Sequence, residues 1–393
     1  MLRGVPPSIA ISPQVVSISL GSRQTSHLQS ERDVHRFGND ESRQRAFEML
    51  RAFGTNSMSF QILQSQFRLW LAGEVGCVAY VDTGSAWVVA GPPIAPEPQL
   101  RRVTSEFGRA ALECGRRVVY FGVEERLSKD PELGSIVVGH QTVLDSTRWQ
   151  DTLRKNANLR QQLSRARNKG LQIEHVDWAK LAAGSPIRRG VEQLIAQWQH
   201  TRPMPEMGFL AQMQPLLLDS ERRFYIASHA NECVGFAALD PVYLRGGWAL
   251  QHLVRAPNAP NGTSEALIDA AVRHAAASNM SYFNLGLTPL AGNVGPWLGA
   301  AKRLCAPLYN FAGLERFRAK FQSRGQVPIY IAYPRGSSPL VAVLDCLVAF
   351  ARGRPLHFGA RVLAHRLTTC SGSIAEIPSR IAERVCRTRK VLP

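Results

Sequence analysis

The feature that most constrains this chain is an order of elements that occurs twice. A helix is expected from Glu41 onward, with Phe47, Leu50 and Phe53 recurring every three residues on one face. Two β-rich runs follow, Cys77–Val81 and Ala86–Ala90, about the turn Asp82-Thr83-Gly84-Ser85, and Gly91-Pro92-Pro93 ends the second. A helix over 97–114 closes at Gly115 and leads into the run Arg117–Val123. The same order returns later: a helix over 186–199, strands at Phe224–Ser228, Cys233–Asp240 and Trp248–Val254, a helix over 263–278, and the run Tyr282–Leu285. The 393 residues suffice for two domains of ordinary size. The pattern predicts an α/β protein of two tandem units, with one large mixed sheet as the other reading. The expected divisions are a mobile tail at 1–40, a first unit at 41–152, a bridge at 153–172, a second, catalytic unit at 173–335 and a basic helical tail at 336–393.

Charge narrows the partners. Lys and Arg total 47 against 30 acids, a net charge of +17 and a pI near 10.2, which favours polyanions such as RNA or anionic headgroups. The surplus is concentrated in Leu153–Gly170, where Arg154, Lys155, Arg160, Arg165, Arg167 and Lys169 occur without a single acid. Leu153, Leu159 and Leu163 give this stretch a thin apolar stripe, so it reads as one basic amphipathic helix. Like charges one turn apart repel, and an anionic partner relieves that cost. Beyond Pro334, the apolar run Leu340–Phe350 precedes nine Lys or Arg, set against only Glu376 and Glu383. Such a tail either lies on an anionic membrane surface or docks as a cover helix. No stretch reaches the roughly 20 apolar residues of a membrane span. Seven scattered cysteines, none in a C-x-x-C pair, suggest reduced core thiols in a cytoplasmic protein and no metal site.

Three stretches could carry chemistry. In Leu250–Ser264 a strand ends at His252-Leu253-Val254-Arg255, and a Pro/Asn-rich loop leads to Asn261, Gly262 and Thr263 at a helix start, a geometry that suits a phosphate or carboxylate. A rigid helix cap is the plainer reading. In Tyr282–Asn293 a strand passes Asn284 to Gly286, where the backbone bulges or approaches a ligand closely. In Tyr309–Phe321, Arg316 and Lys320 lie one turn apart beside Phe317 and Phe321. Signatures of serine hydrolases, zinc peptidases and phosphate-binding loops are absent. His140, His200 and His274 have no motif context.

Taken together, LRQQLSRARNKG, HLVRAPNAPNGTSE, FNLGLTPLAG and LYNFAGLERFRAKF followed by YIAYPR resemble successive motifs of the phosphatidylglycerol lysyltransferase C-terminal domain family. Gly91–Ile94 resembles that family's glycine-proline turn, and the likeness covers roughly residues 43–335. The resemblance implies two tandem acetyltransferase-like units, each a mixed sheet flanked by helices, and transfer of an aminoacyl group from aminoacyl-tRNA to a lipid hydroxyl. It implies no cofactor. Arg255 falls on the arginine of the family's Asp-Leu-Met-Arg motif and Lys320 on the lysine of its Arg-Phe-Lys-Glu-Lys-Phe-like segment, while His252 replaces the motif's Asp.

The expected mechanism is direct transfer. His252 takes the acceptor's proton, or is a structural histidine; Arg255 and backbone N–H groups near Gly286 stabilise the oxyanion. Asn261, Gly262, Thr263, Asn284, Gly286, Asn310 and Arg316 line the substrate site, and Lys320, Arg316 and the basic bridge hold phosphates of tRNA or lipid. An acyl-CoA-dependent acyltransferase and a non-catalytic RNA- or membrane-binding protein are the rival readings. The expected location is the cytoplasm, with the inner membrane face as the peripheral site.

Overall fold

The computed structural model of the chain describes residues 40–352 except 203–206, 215, 217–218, 293, 306–309 and 322–324. The mobile tail expected at 1–40 and the basic residues after Arg352 thus lie, almost entirely, outside the described residues.

Helix α1 (Glu41–Phe53) starts where the Asp40 carboxylate accepts from the Arg43 amide, and it buries Ala46, Phe47, Met49 and Leu50. Strands β1 (Arg68–Ala72), β2 (Gly76–Asp82) and β3 (Ala86–Ala90) form an antiparallel meander. Helix α2 (Leu100–Glu113) carries the chain over to β4 (Arg117–Val123), parallel to β3. A short α3 (Glu125–Ser128) precedes β5 (Leu133–Asp145). Then come α4 (Trp149–Lys155), α5 (Ala157–Asn168), β6 (Gln172–Val176) and α6 (Pro186–His200). Strands β7 (Arg223–His229), β8 (Glu232–Val242) and β9 (Gly247–Arg255) form a second meander. Helix α7 (Thr263–Ala277) leads to β10 (Tyr282–Pro289), which runs parallel to β9. Helices α8 (Pro296–Cys305) and α9 (Phe311–Ala319), strand β11 (Gly325–Pro334) and helix α10 (Pro339–Phe350) complete the described chain.

All the described strands join one sheet in the order β1-β2-β3-β4-β11-β5-β10-β9-β8-β7-β6. The tandem arrangement and the large mixed sheet are therefore not alternatives. Two half-sheets meet edge to edge through the antiparallel pair β5–β10, and β11 inserts between β4 and β5 of the first half. Alternation along β2 and β3 sends Cys77, Ala79 and Val88 into one apolar core, and Val78, Tyr80 and Val89 into another on the opposite face. A third core holds the second half together and includes Leu153, Leu159 and Leu163 of the bridge.

The bridge itself differs from expectation. The basic stretch is two helices, broken at Asn156. The Asn156 side chain accepts from the Leu159 amide at 3.0 Å, capping α5, and donates to the Lys320 carbonyl at 2.5 Å. A capping asparagine with a tertiary partner outweighs the continuous leucine stripe.

Candidate functional site

Strands β9 and β10 pair only over Gly247–Ala249 and Tyr282–Asn284, then part. Both strands are deformed at the parting. On β9 the register with β8 shifts between His252 and Leu250, making Gln251 the extra residue of a bulge. On β10 Gly286 adopts φ +87, and a Cβ there would meet Arg318 Nη2 at 3.1 Å and the Leu250 carbonyl at 3.5 Å. Arg318 braces β10 at this point, donating from Nη1 to the Gly286 carbonyl and to Thr288 Oγ1, both at 2.7 Å. The Gly286 amide already donates to Asn284 Oδ1 at 2.6 Å, so in this state it is not the free oxyanion donor expected of it.

One face of the parting is a buried polar seam built by both halves. Asn284 Nδ2 donates to Gln141 Oε1 at 2.7 Å, and Gln141 Nε2 donates to Ser57 Oγ at 2.7 Å. Gln61 Nε2 donates to Gln251 Oε1 at 2.8 Å, leaving Gln61 Oε1 buried without a partner among the described residues. Beneath this roof, Arg222 Nε lies 2.7 Å from Asp240 Oδ1 with both side chains inaccessible to solvent, and the guanidinium sits 5.4 Å from the Phe60 ring centroid. Burial pushes the Asp240 carboxyl up, against the pull of Arg222.

His252 points into the same seam. It is 5 % exposed, and its Nε2 has no hydrogen-bond partner among the described residues. Burial, then the Arg222 charge, push its pKa down to about 3. Its imidazole is thus neutral and a weak base, an environment that does not suit the proton-accepting role expected from the sequence.

The same burial makes a pH prediction. An unfolded imidazole gains a proton below its ordinary pKa of 6.5, while the folded one stays neutral until about pH 3. This contribution to stability is complete above pH 6.5 and falls as pH drops, by about 1.4 kcal/mol per unit. Between pH 7.5 and 5 the chain should lose about 2 kcal/mol more than a His252→Gln variant in urea melts. Parallel losses would show that His252 is not held neutral.

The opposite face carries α7. Gly262 caps it at φ +97, and a Cβ there would lie 2.8 Å from the Gln162 carbonyl of α5. Thr263 is buried, its hydroxyl donating to the Pro260 carbonyl at 2.7 Å, while Asn261 is exposed. Glu265 occupies the first turn, where a carboxylate complements the positive helix end, and accepts from Lys320 Nζ at 2.8 Å. Arg255 is exposed on this face: its β8 partner Gly235 abuts Thr263 and Leu267 of α7.

The structure therefore brings Gly262, Thr263 and Lys320 together through Glu265, with Arg255 on their side of the sheet, and turns His252 to the other. Asn284 and Gly286 meet at the parting. Asn310 and Arg316 join neither group. Asn310 caps α9 through the Gly313 amide, and Arg316 faces solvent, donating to the Ala312 carbonyl of its own helix. Along the bridge, Arg154 pairs with Asp151 and Arg160 donates to the Leu153 carbonyl. Lys155, Arg165, Arg167 and Lys169 are exposed, without ion-pair partners among the described residues.

The sequence model described as phosphatidylglycerol lysyltransferase, C-terminal, matches residues 47–333, spanning both half-sheets. The chain belongs to that family. The phosphatidylglycerol lysyltransferase of Bacillus subtilis is 26 % identical over 266 residues, covering 64 % of this chain but 30 % of that protein. The chain thus spans under a third of that relative's length. The C-terminal domain of a putative lysylphosphatidylglycerol synthetase from Agrobacterium fabrum superposes with TM-score 0.70 at 22 % identity, over 80 % of this chain and 99 % of that one. L-PGS from Bacillus licheniformis gives 0.67 at 22 % identity, over 79 % and 96 %. Both solved structures thus share this mixed α/β fold.

Sequence reasoning missed Glu265, Arg318, Gln141 and the Arg222–Asp240 pair. Only Arg318 had a readable signal: residues two apart on a helix point about 200° from each other, so with Arg316 outward Arg318 turns inward.

Proposed function

We propose that this chain is an aminoacyltransferase, moving an aminoacyl group from aminoacyl-tRNA to the hydroxyl of an anionic glycerophospholipid such as phosphatidylglycerol. The observation that carries the reading is the start of α7. A pyrophosphate at this helix start would face the Glu265 carboxylate, which already places negative charge there, and Gly262 is pressed onto α5. That carboxylate is already clamped by Lys320. Lys155, Arg165, Arg167 and Lys169, without ion-pair partners among the described residues, lie instead along the exposed surface of the bridge, spread as a polyanion would require.

The reaction exchanges one ester for another. The lipid oxygen attacks the aminoacyl carbonyl, the ribose oxygen leaves, and the proton lost by the first is gained by the second. No enzyme nucleophile is needed, and proximity supplies much of the rate. Arg255 offers the positive charge for the oxyanion, and Arg318 holds the shape of the parting through Gly286 and Thr288.

The test is incubation with charged tRNA and phosphatidylglycerol micelles, read by mass spectrometry. The reading expects an aminoacyl ester of the lipid that ribonuclease abolishes. Turnover of acyl-CoA without RNA would contradict it. Replacing Arg165, Arg167 and Lys169 together with Glu should weaken tRNA binding and flatten its dependence on log salt by up to about 3 units. An unchanged slope would place the RNA elsewhere.

A further inference from the structure

Helix α10 is uniformly apolar except for Asp345, and that one charge is turned inward. Arg117 of β4 grips it bidentately, Nε to Oδ2 at 3.0 Å and Nη2 to Oδ1 at 2.7 Å, and Ser85 adds a hydrogen bond at 3.2 Å. Ala342, Cys346 and Ala349 pack against the sheet on the same side. This clamp fixes the rotation of the helix. Leu340, Leu344 and Leu347 are left outward at i, i+4 and i+7, exposed by 56, 57 and 55 %. Val341 and Val348 flank them, so the outer face is one apolar stripe without a charge.

An exposed stripe of this kind needs an apolar cover. The segment that follows indicates which cover fits. Residues 352–393 carry nine Lys or Arg against two Glu, a large share of the chain's net charge of +17. Folding that segment back would set its cations against a body that is itself net positive, and pairing two copies would set one net-positive chain against another. An anionic bilayer satisfies both features, taking the leucines below its headgroups and the cations at their level.

We propose that α10 lies flat on an anionic membrane, inserts Leu340, Leu344 and Leu347, and docks the enzyme there. With 12 residues the helix rests in the interface, and no described helix is long and apolar enough to cross. That the docked enzyme draws its acceptor from the same bilayer rests on the function proposed above. The docking itself does not.

The test uses the full chain and a Leu340→Glu, Leu344→Glu, Leu347→Glu variant, sedimented with vesicles of phosphatidylglycerol and phosphatidylcholine. The exposed sites leave the fold intact, which circular dichroism checks. Wild type should bind, and the variant's partition coefficient should fall by at least about tenfold. The milder Leu344→Ser, Leu347→Ser pair should fall in between. Equal binding by wild type and variant would overturn the proposal, assigning adsorption to surface charge alone. No binding by wild type would overturn it as well. Hydrogen exchange would overturn it if the outer face of α10 were protected without vesicles, because the chain's own tail or a second copy would then be the cover. Transfer to a short-chain, monomerically dispersed phosphatidylglycerol separates the two claims. The variant keeps wild-type turnover there if only docking is lost, whereas absence of turnover in both proteins condemns the transferase reading and leaves the docking result standing.

Discussion

Replacing Asp240 with alanine should destabilise the chain by about 3–5 kcal/mol, the largest stability effect of any single change considered. The guanidinium of Arg222 would be left in a site where both partners are inaccessible, Nε now 2.7 Å from the Asp240 carboxylate. Water cannot reach it to replace the lost charge, and His252 beside it cannot help, being neutral. The double replacement Arg222→Met, Asp240→Leu removes both charges, and apolar pairs of similar volume often match a buried ion pair in stability. It should recover most of the loss in urea-denaturation midpoints. A single Asp240→Ala variant within about 1 kcal/mol of wild type would mean that the seam is open to solvent in solution.

Removal of the Arg255 side chain should act in the opposite way, on rate and not on stability. The guanidinium is exposed at the end of β9 with no ion-pair partner among the described residues, so its loss should leave stability within about 0.5 kcal/mol. If it meets the charge that develops on the aminoacyl carbonyl, Arg255→Ala should lower kcat/KM about a hundredfold, mainly through kcat. Lysine at this position, charged but not planar, should restore part of the rate. A variant changed only in KM would make Arg255 a binding residue for donor or acceptor.

The parts of the fold that were legible are those whose patterns are local. The helix at Glu41, the hairpin β2–β3, the second meander and α7 follow from periodicity and turn residues, and all appear within a few residues of expectation. Strand β5 was missed because His140, Gln141 and Thr142 interrupt its apolar run at the centre of the sheet. Those polar residues sit there because the strand borders the parting, where Gln141 bonds Asn284 and Ser57. Strand β11 was hidden for another reason: its place between β4 and β5 is a long-range pairing that no local pattern encodes. At the site, the family motifs mark Arg255, Gly262 and Lys320, yet residue type alone does not say which side of β9 a side chain takes. The bulge at Gln251 decides that, placing His252 with the buried seam. Glu265 was passed over because an acid in a first turn reads as an ordinary cap until its lysine partner is found across the fold.

The central claim is that transfer takes place where β9 and β10 part. Its most direct test is a crystal structure with an aminoacyl-adenosine analogue whose ester is replaced by an amide, so that the donor end cannot react. The account places the aminoacyl group in the parting beside Gly286, with its carbonyl on the face of the sheet that carries Arg255. Density for the analogue on a surface remote from β9 and β10, with the parting closed as it is here, would contradict it.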